Sequence, residues 1–134
     1  MWVQYDPNPS MGSTIDCSVR AIAKALDTDW ETAYMLLSIN GYLMGTVMVS
    51  NAVIASVLRQ HGFRRAIIPN QCPDCYTAAD FAEDHPDGTF VLFFDDHVAT
   101  IVSGSIYDSF DSSSMVPYYY FYNPDEQNQL RKER

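Results

Sequence analysis

Residues 97–108 read His-Val-Ala-Thr-Ile-Val-Ser-Gly-Ser-Ile-Tyr-Asp, two runs rich in β-branched and aromatic residues on either side of Ser103-Gly104. This pattern predicts a β-hairpin closed by a two-residue turn. In that register His97 faces Phe110, and Asp108 is its diagonal neighbour at about 7–8 Å between backbones. An imidazole and a carboxylate are therefore expected within hydrogen-bonding reach on one face of the hairpin.

The acid that partners His97 depends on the length of this turn. A three-residue loop over 103–105 would shift the register and bring Asp111 to the His97 face instead. We take Asp108 as the partner and Asp111 as the alternative acid. Asp95 and Asp96 directly precede His97, where they either favour the imidazolium form or form a solvated turn, and we favour the turn.

Working outward from the hairpin, four strands are predicted after residue 88 and four helices before it, with a short strand over 63–68 that ends at Pro69. The strands cover 89–94, 98–102, 105–110 and 116–122, and the helices begin at Cys17, Thr28, Ser50 and Thr77. A capping box, Thr28 with Glu31, opens the second helix, which is expected to run to about Ser38 and to close near Gly41. The third helix ends at Gly62. Helices followed by strands predict an α+β fold, with N-terminal helices packed on a C-terminal, mainly antiparallel sheet.

Length and charge limit the functional classes. The 134 residues suffice for one domain, 1–134, with residues 1–12 as an extended lead-in and 126–134 as a flexible tail. We expect no membrane span, because no apolar run reaches about 18 residues, and no signal peptide, which makes the cytoplasm the expected location. The formal net charge of −9 argues against nucleic acid as a partner.

Cys17 stands where the first helix should begin. The positive end of a helix stabilises a thiolate and lowers the pKa of the thiol. Asp16 or Thr14 is expected to cap this helix, and Arg20 either adds positive potential or points to solvent. Three cysteines are an odd number, which predicts free thiols in a reducing compartment. The alternative for Cys17 is a buried core cysteine.

Two other motifs allow more than one interpretation. Cys72 and Cys75 could supply half of a zinc site with His61 and His85, or form a redox pair, but we interpret them as loop cysteines and predict no metal and no cofactor. The tyrosine-rich run 118–122 predicts a final strand whose exposed rings could form a contact surface. A monomer or a homodimer is therefore expected.

The order of these residues resembles the papain-like cysteine peptidases. The stretches 16–23 and 97–111, with an early cysteine heading a helix and a later histidine beginning a strand, are similar to small bacterial and phage members akin to the bacteriocin-leader (double-glycine) peptidases. The resemblance covers about residues 10–122. It implies an active site in the cleft between helices and sheet, with Cys17 as nucleophile, His97 as base and Asp108 as orienting acid.

The chain departs from that family at one position. The family carries a glutamine or similar donor about six residues before the cysteine, which forms an oxyanion hole with the cysteine N–H. Here the residue is Met11, which cannot donate. Asn8, Ser10 or Gln4 could replace it, and we favour Asn8. Loss of one oxyanion donor costs on the order of 10²–10³ in rate.

These observations predict a cysteine hydrolase that cleaves a peptide or amide bond in a peptide or protein substrate. The alternatives are a papain-fold module that binds a host protein without turnover, such as a phage or plasmid factor, and a thiol-dependent deamidase or transferase.

Overall fold

The computed structural model describes residues 1–10, 15–68 and 75–133. Within these residues the chain forms an α+β fold with one mixed sheet. In chain order the elements are β1 (Trp2–Gln4), α1 (Cys17–Ala25), α2 (Trp30–Met44), α3 (Asn51–Gln60), β2 (Arg64–Ile67), α4 (Ala78–Asp84), β3 (Thr89–Phe94), β4 (His97–Val102), β5 (Ser105–Asp108), β6 (Tyr119–Tyr122) and α5 (Pro124–Lys132).

The sheet has the strand order β1-β5-β4-β3-β6-β2, and β1 runs parallel to β5 while the other pairs are antiparallel. The segment 1–12, predicted as an extended lead-in, therefore contains the edge strand β1 near its start. The backbone N–H of Tyr5 continues this contact by donating to the carbonyl of Asp108 at 2.8 Å. A strand of three residues is too short to show a recognisable alternation.

The central strand β3 is buried on both faces. Val91 and Phe93 belong to the core that includes side chains from α1, α2 and α3, whereas Phe90, Leu92 and Phe94 pack into a second core with α4. A strand covered on both faces is expected to be continuously apolar, as this one is. The helices α1–α3 and α4 therefore enclose the sheet from opposite sides.

The hairpin register is as predicted. Thr100 pairs with Tyr107 and Val102 pairs with Ser105. Ser103 and Gly104 have φ values of 50° and 78°, which are the positive angles that a two-residue type I′ turn requires. The three-residue alternative is therefore excluded.

The helix boundaries differ from prediction at α2. Asp29, not Thr28, is the N-cap, and its carboxylate accepts from the Thr32 N–H at 2.8 Å. The helix passes Gly41 and ends at Gly45, whose φ is 69°. A Cβ on Gly41 would lie 3.0 Å from the carbonyl oxygen of Thr46, so this glycine admits the returning chain rather than ending the helix.

The helix starts predicted at Ser50 and Thr77 are confirmed. The hydroxyl of Ser50 accepts from the Val53 N–H at the start of α3, and Thr77 and Asp80 form a capping box at the start of α4. α3 ends at Gln60, and Gly62, two residues later, has a φ of 90°.

The chain from Pro124 to Lys132 forms helix α5, where a flexible tail was predicted from residue 126. The side chain of Asn123 caps it by accepting from the N–H groups of Asp125 and Glu126. The carboxylate of Glu126 accepts from the N–H of Thr89 at 2.7 Å and from its hydroxyl at 3.1 Å. The Asn123 cap and the hydrogen bonds between Glu126 and Thr89 of β3 explain why this segment is helical.

Within the described ranges, no helix combines the length and apolarity needed to cross a bilayer, and the longest, α2, has 15 residues.

Candidate active site

Helix α1 and strand β4 begin side by side. The hydroxyl of Thr100 donates to the carbonyl of Ala21 at 2.7 Å, which fixes α1 against β4 a few residues after each begins. Cys17 is the first residue of α1 and His97 the first of β4. Both line one cavity of about 330 Å³, to which Ile15, Val49 and Ile54 also contribute. The packing therefore brings the predicted nucleophile and the predicted base to one cavity.

Cys17 is a free, partly buried thiol that interacts with His97. Burial opposes its ionisation, but the hydrogen bond with His97 and the positive charge of that ring outweigh burial and hold the pKa of the thiol below its ordinary value. A hydrogen bond from the backbone of Val98 acts in the same direction. The arrangement favours a thiolate.

His97 is bonded to Asp108, with 2.6 Å between Nε2 and Oδ2. Burial alone would lower the pKa of the imidazole, but the hydrogen bonds to Asp108 and Cys17 prevail and raise it to about 9. Because Nε2 donates to the carboxylate, Nδ1 remains as the ring nitrogen for the thiol. Asp95 and Asp96 form the exposed turn between β3 and β4.

Asp108 is 1% exposed and is held by several donors. Besides His97, the hydroxyl of Ser112 and the N–H of Ser109 each donate to it at 2.8 Å. Burial raises the pKa of this carboxyl, but the bond from His97 and those from the two serines outweigh burial and lower it. Asp108 is therefore the ionised partner of His97.

Asp111, the alternative acid, is exposed, and its carboxylate accepts from the N–H and hydroxyl of Ser113. The structure thus brings Cys17, His97 and Asp108 together and leaves Asp111 at the surface.

Arg20 connects Asp108 to a second buried carboxylate. Its guanidinium is 3.3 Å from Oδ1 of Asp108 and also pairs with Asp16 four residues earlier on α1. Cys17, His97, Asp108, Arg20 and Asp16 therefore form one continuous series in which acidic and basic side chains alternate. The two interpretations left open for Arg20 are resolved, since its side chain is buried and does not point to solvent.

Asp16 occupies the N-cap position of α1, but its side chain makes no capping bond, contrary to prediction. It accepts instead from Nε1 of Trp30 at 3.0 Å and from Nδ2 of Asn8 at 3.1 Å, in addition to Arg20. The spacing of four between an aspartate and an arginine was the signal for this pair. Thr14, the other predicted cap, lies outside the described residues.

Asn8, Ser10 and Gln4, the proposed oxyanion donors, are not among the described residues that line the cavity of Cys17. Asn8 is buried against Asp16, and it lines a second cavity together with Ser10. Gln4 is exposed in β1, and Met11 lies outside the described residues. A residue that sequence reasoning missed is Ser18, which lines the cavity of Cys17 and whose buried hydroxyl finds no hydrogen-bond partner among the described residues.

The histidines considered for zinc are engaged elsewhere. Nδ1 of His61 bonds to the carbonyl of Val57, and Nδ1 of His85 bonds to that of Phe81, each at 2.8 Å. Residues 69–74, which include Cys72, lie outside the described residues. Among the residues that the structure does describe, no group of three or more His, Cys, Asp or Glu side chains could hold a metal ion.

In comparisons with protein-family models, curated proteins and solved structures, nothing matches this chain.

Proposed function

We propose that this protein is a papain-like cysteine hydrolase that cleaves a peptide or amide bond. The observation that carries the proposal is the shared cavity of Cys17 and His97, with His97 bonded at 2.6 Å to a buried carboxylate. A thiol with a lowered pKa beside an imidazole with a raised one is the arrangement that nucleophilic catalysis by cysteine requires.

The reaction follows from these positions. The Cys17 thiolate attacks the carbonyl carbon, and a carbon–sulfur bond forms as the carbonyl electrons move to oxygen. When the tetrahedral intermediate collapses, the His97 imidazolium gives its proton to the departing amine and an acyl-enzyme remains. A water molecule, deprotonated by His97, then attacks the thioester and releases a carboxylic acid and the thiolate. Asp108 orients the imidazole throughout by holding Nε2.

The developing oxyanion needs donors near the start of α1. The N–H groups of the first helical turn point out of the helix and have no partner within it, and Cys17 supplies the first of them. We propose the Ser18 hydroxyl as a second donor, because Ser18 lines the same cavity and no described group bonds to its hydroxyl. Asn8 is less suited, since it lines the neighbouring cavity rather than that of Cys17 and one N–H of its amide already donates to Asp16.

The second candidate is a domain of this fold that binds a peptide or protein without turnover. The position of Asn8 favours it, because the donor predicted to replace Met11 lines the second cavity rather than that of Cys17 and already uses one of its two side-chain N–H groups on Asp16. Such a protein would use the cavity for binding, and the Cys17→Ala variant would bind the partner as tightly as the wild type.

One experiment tests the choice. The rate of iodoacetamide labelling at pH 7 is measured for Cys17 by peptide mapping, against a short unstructured peptide with one cysteine, and a peptide library is incubated with wild type and with Cys17→Ala. We expect labelling faster than the reference, its loss in His97→Ala, and cleavage by wild type alone. Labelling of Cys17 no faster than the reference would refute the hydrolase, and fast labelling without cleavage of any peptide or amide would favour the binding domain.

A further inference from the structure

Helix α2 carries large apolar side chains on its outer side as well as its inner side. The inner side packs into the core, where Leu37 is fully buried. The outer side carries Met35, Ile39, Tyr42 and Leu43, which fall within an arc of about 100° around the helix axis. These four residues are between 50% and 84% exposed, so no described part of this chain covers them. A helix that is apolar all round is ordinarily covered all round.

The apolar surface continues beyond the end of α2. A Cβ on Gly41 would lie 3.0 Å from the carbonyl oxygen of Thr46, so the chain returns beside the helix, and Val47 in this returning segment is exposed. We refer to the exposed apolar residues of this surface as the α2 face: Tyr34, Met35, Ile39, Tyr42, Leu43 and Val47.

The area of the α2 face is close to what one half of a stable interface needs. From the fractional exposures, the α2 face presents roughly 600–900 Å², if a fully exposed large apolar residue offers about 150–250 Å². The largest apolar patch on an ordinary monomer covers about 300–600 Å². A standard interface buries about 800 Å² on each partner, and its centre is rich in aromatic residues and methionine.

The α2 face lies in a part of the chain that has no charge. Segment 32–58 contains no Asp, Glu, Lys or Arg, although 19% of the whole chain is charged. Two copies with a net charge of −9 each repel one another, and this surface lets them meet with few like charges in contact. A nucleic acid, an anionic bilayer or a charged peptide would find no counter-charge on it. The charge pattern therefore favours a second copy of this chain.

The tyrosine-rich run 118–122 offers no comparable surface. It contributes strand β6, which lies inside the sheet between β3 and β2. Phe121 is buried, and Tyr118 is the one residue of the run that is exposed.

We propose that the α2 face is the interface of a homodimer, in which the α2 helices of the two copies pack antiparallel about a two-fold axis. Positions 35 and 43 are each four residues from 39. An axis that passes at Ile39 therefore brings Ile39 of both copies together and places each Met35 against the other copy's Leu43. Apolar side chains then meet apolar side chains along the whole stripe.

Sedimentation equilibrium of the full chain in about 0.15 M salt tests the interface, because charges at a distance are largely screened there. Wild type should form a dimer with a Kd in the micromolar range or below, the range of standard-size interfaces. Ile39→Asp should raise that Kd by about 100-fold or more, since both copies lose an apolar contact and two carboxylates meet at the axis. The matched control is Ile67→Asp, at an exposed isoleucine of β2 outside the α2 face, which should change the Kd by a factor of about two at most.

A pair of charged substitutions tests the antiparallel register. Met35→Lys and Leu43→Glu each place a charge against an apolar residue and should each raise the Kd by about 10-fold or more. In the double variant the new ammonium of one copy faces the new carboxylate of the other, and the Kd should fall about 10-fold below that of either single variant. Loss of folding could not produce this recovery.

Three results would overturn the proposal. Wild type could remain monomeric at about 100 µM, well above a micromolar Kd. Ile67→Asp could weaken the dimer as much as Ile39→Asp, which would put the interface elsewhere. Monomeric wild type could bind phosphatidylcholine vesicles in a way that Ile39→Asp abolishes, which would assign the α2 face to a lipid surface. A double variant no tighter than the single variants would overturn the antiparallel pairing. The measurements do not involve Cys17, so the hydrolase stands or falls separately.

Discussion

Arg20 and Asp108 lie 88 residues apart in the chain and form a buried ion pair, with 3.3 Å between Nη2 and Oδ1. The other oxygen of Asp108 bonds to His97. Each carboxylate oxygen therefore has its own cationic partner. The helix that carries Cys17 also carries the side chain that pairs with Asp108, so the proposed nucleophile and the proposed acid are coupled through one helix.

The interaction between Cys17 and His97 predicts how the rate of Cys17 labelling depends on pH. The thiolate is present above the lowered pKa of Cys17 and is lost as pH falls through it, so the midpoint of the iodoacetamide rate should lie below the ordinary value of about 8.5. Peptide cleavage should decline above about pH 9, where His97 loses its proton.

In His97→Ala, burial still raises the pKa of Cys17, but the hydrogen bond and the charge of His97 that lowered it are gone. The pH midpoint of the labelling rate should therefore rise above that of a free cysteine. Labelling at pH 7 should fall by about tenfold or more. An unaltered profile in this variant would mean that His97 does not govern the thiol.

Asp108 and Asp111 form a matched pair for testing the acid. Asp108→Asn should lower kcat on the order of 10²-fold and lower the pKa of His97, because the charge that stabilises the imidazolium is gone. NMR titration of the ring protons measures that pKa directly. Asp111→Asn removes an exposed carboxylate bonded only to Ser113 among the described contacts and should leave kcat within twofold. Equal effects of the two substitutions would contradict the assignment.

Arg20→Met should destabilise the fold by about 3–5 kcal/mol, because it leaves the buried carboxylates of Asp16 and Asp108 without their shared cation. Urea unfolding measures the change. The control is Lys24→Met on the same helix, whose ammonium lies 3.9 Å from the ring centroid of Tyr107. That contact is worth about 0.5–1 kcal/mol. A loss no larger for Arg20 than for Lys24 would show that the buried network contributes little.

Ser18→Ala tests the proposed oxyanion donor. The loss should appear in kcat, on the order of 10²-fold, with little change in KM, since the hydroxyl would act on charge that develops only in the transition state. The iodoacetamide rate should change little, because alkylation forms no oxyanion. Asn8→Ala should instead lower stability through Asp16. If Asn8→Ala lowers kcat more than Ser18→Ala does, the oxyanion role belongs to Asn8.

Gly41→Ala tests the close approach of the chain after α2. The added Cβ would meet backbone atoms of Thr46 and Met48 at 3.0–3.3 Å, and backbone yields less readily than a side chain. We expect a loss of about 1–3 kcal/mol in the free energy of unfolding, although alanine is the better helix former. Gly45→Ala meets no atom within 4 Å and should cost only the strain of its positive φ, about 1–2 kcal/mol. A gain in stability for Gly41→Ala would show that the loop yields freely.

Local patterns predicted the parts of the fold that depend on local chemistry. The turn at Ser103-Gly104 sets the hairpin register because side-chain alternation leaves only two choices of face, and that register brings Asp108 rather than Asp111 to His97. The start of α1 at Cys17 and the cap at Thr77 follow equally from neighbouring residues.

Features that depend on tertiary packing were not predictable in this way. Asp16 has the residue type and position of a helix cap, but burial beside Arg20 gives its carboxylate a stronger partner than a backbone N–H. Gly41 is the residue type that commonly ends a helix, yet α2 continues past it. Its role is set by the loop at Thr46 and Met48, whose backbone packs against it. The pairing of Arg20 with Asp108 forms only when α1 packs on the assembled sheet, and the sequence around neither residue indicates it.

The strand β1 has a consequence for handling this protein in the laboratory. The indole N–H of Trp2 and the backbone N–H of Tyr5 both donate to the carbonyl oxygen of Asp108, at 3.2 and 2.8 Å. Removing these residues would break both hydrogen bonds to Asp108 and expose the edge of β5, and an exposed sheet edge invites aggregation.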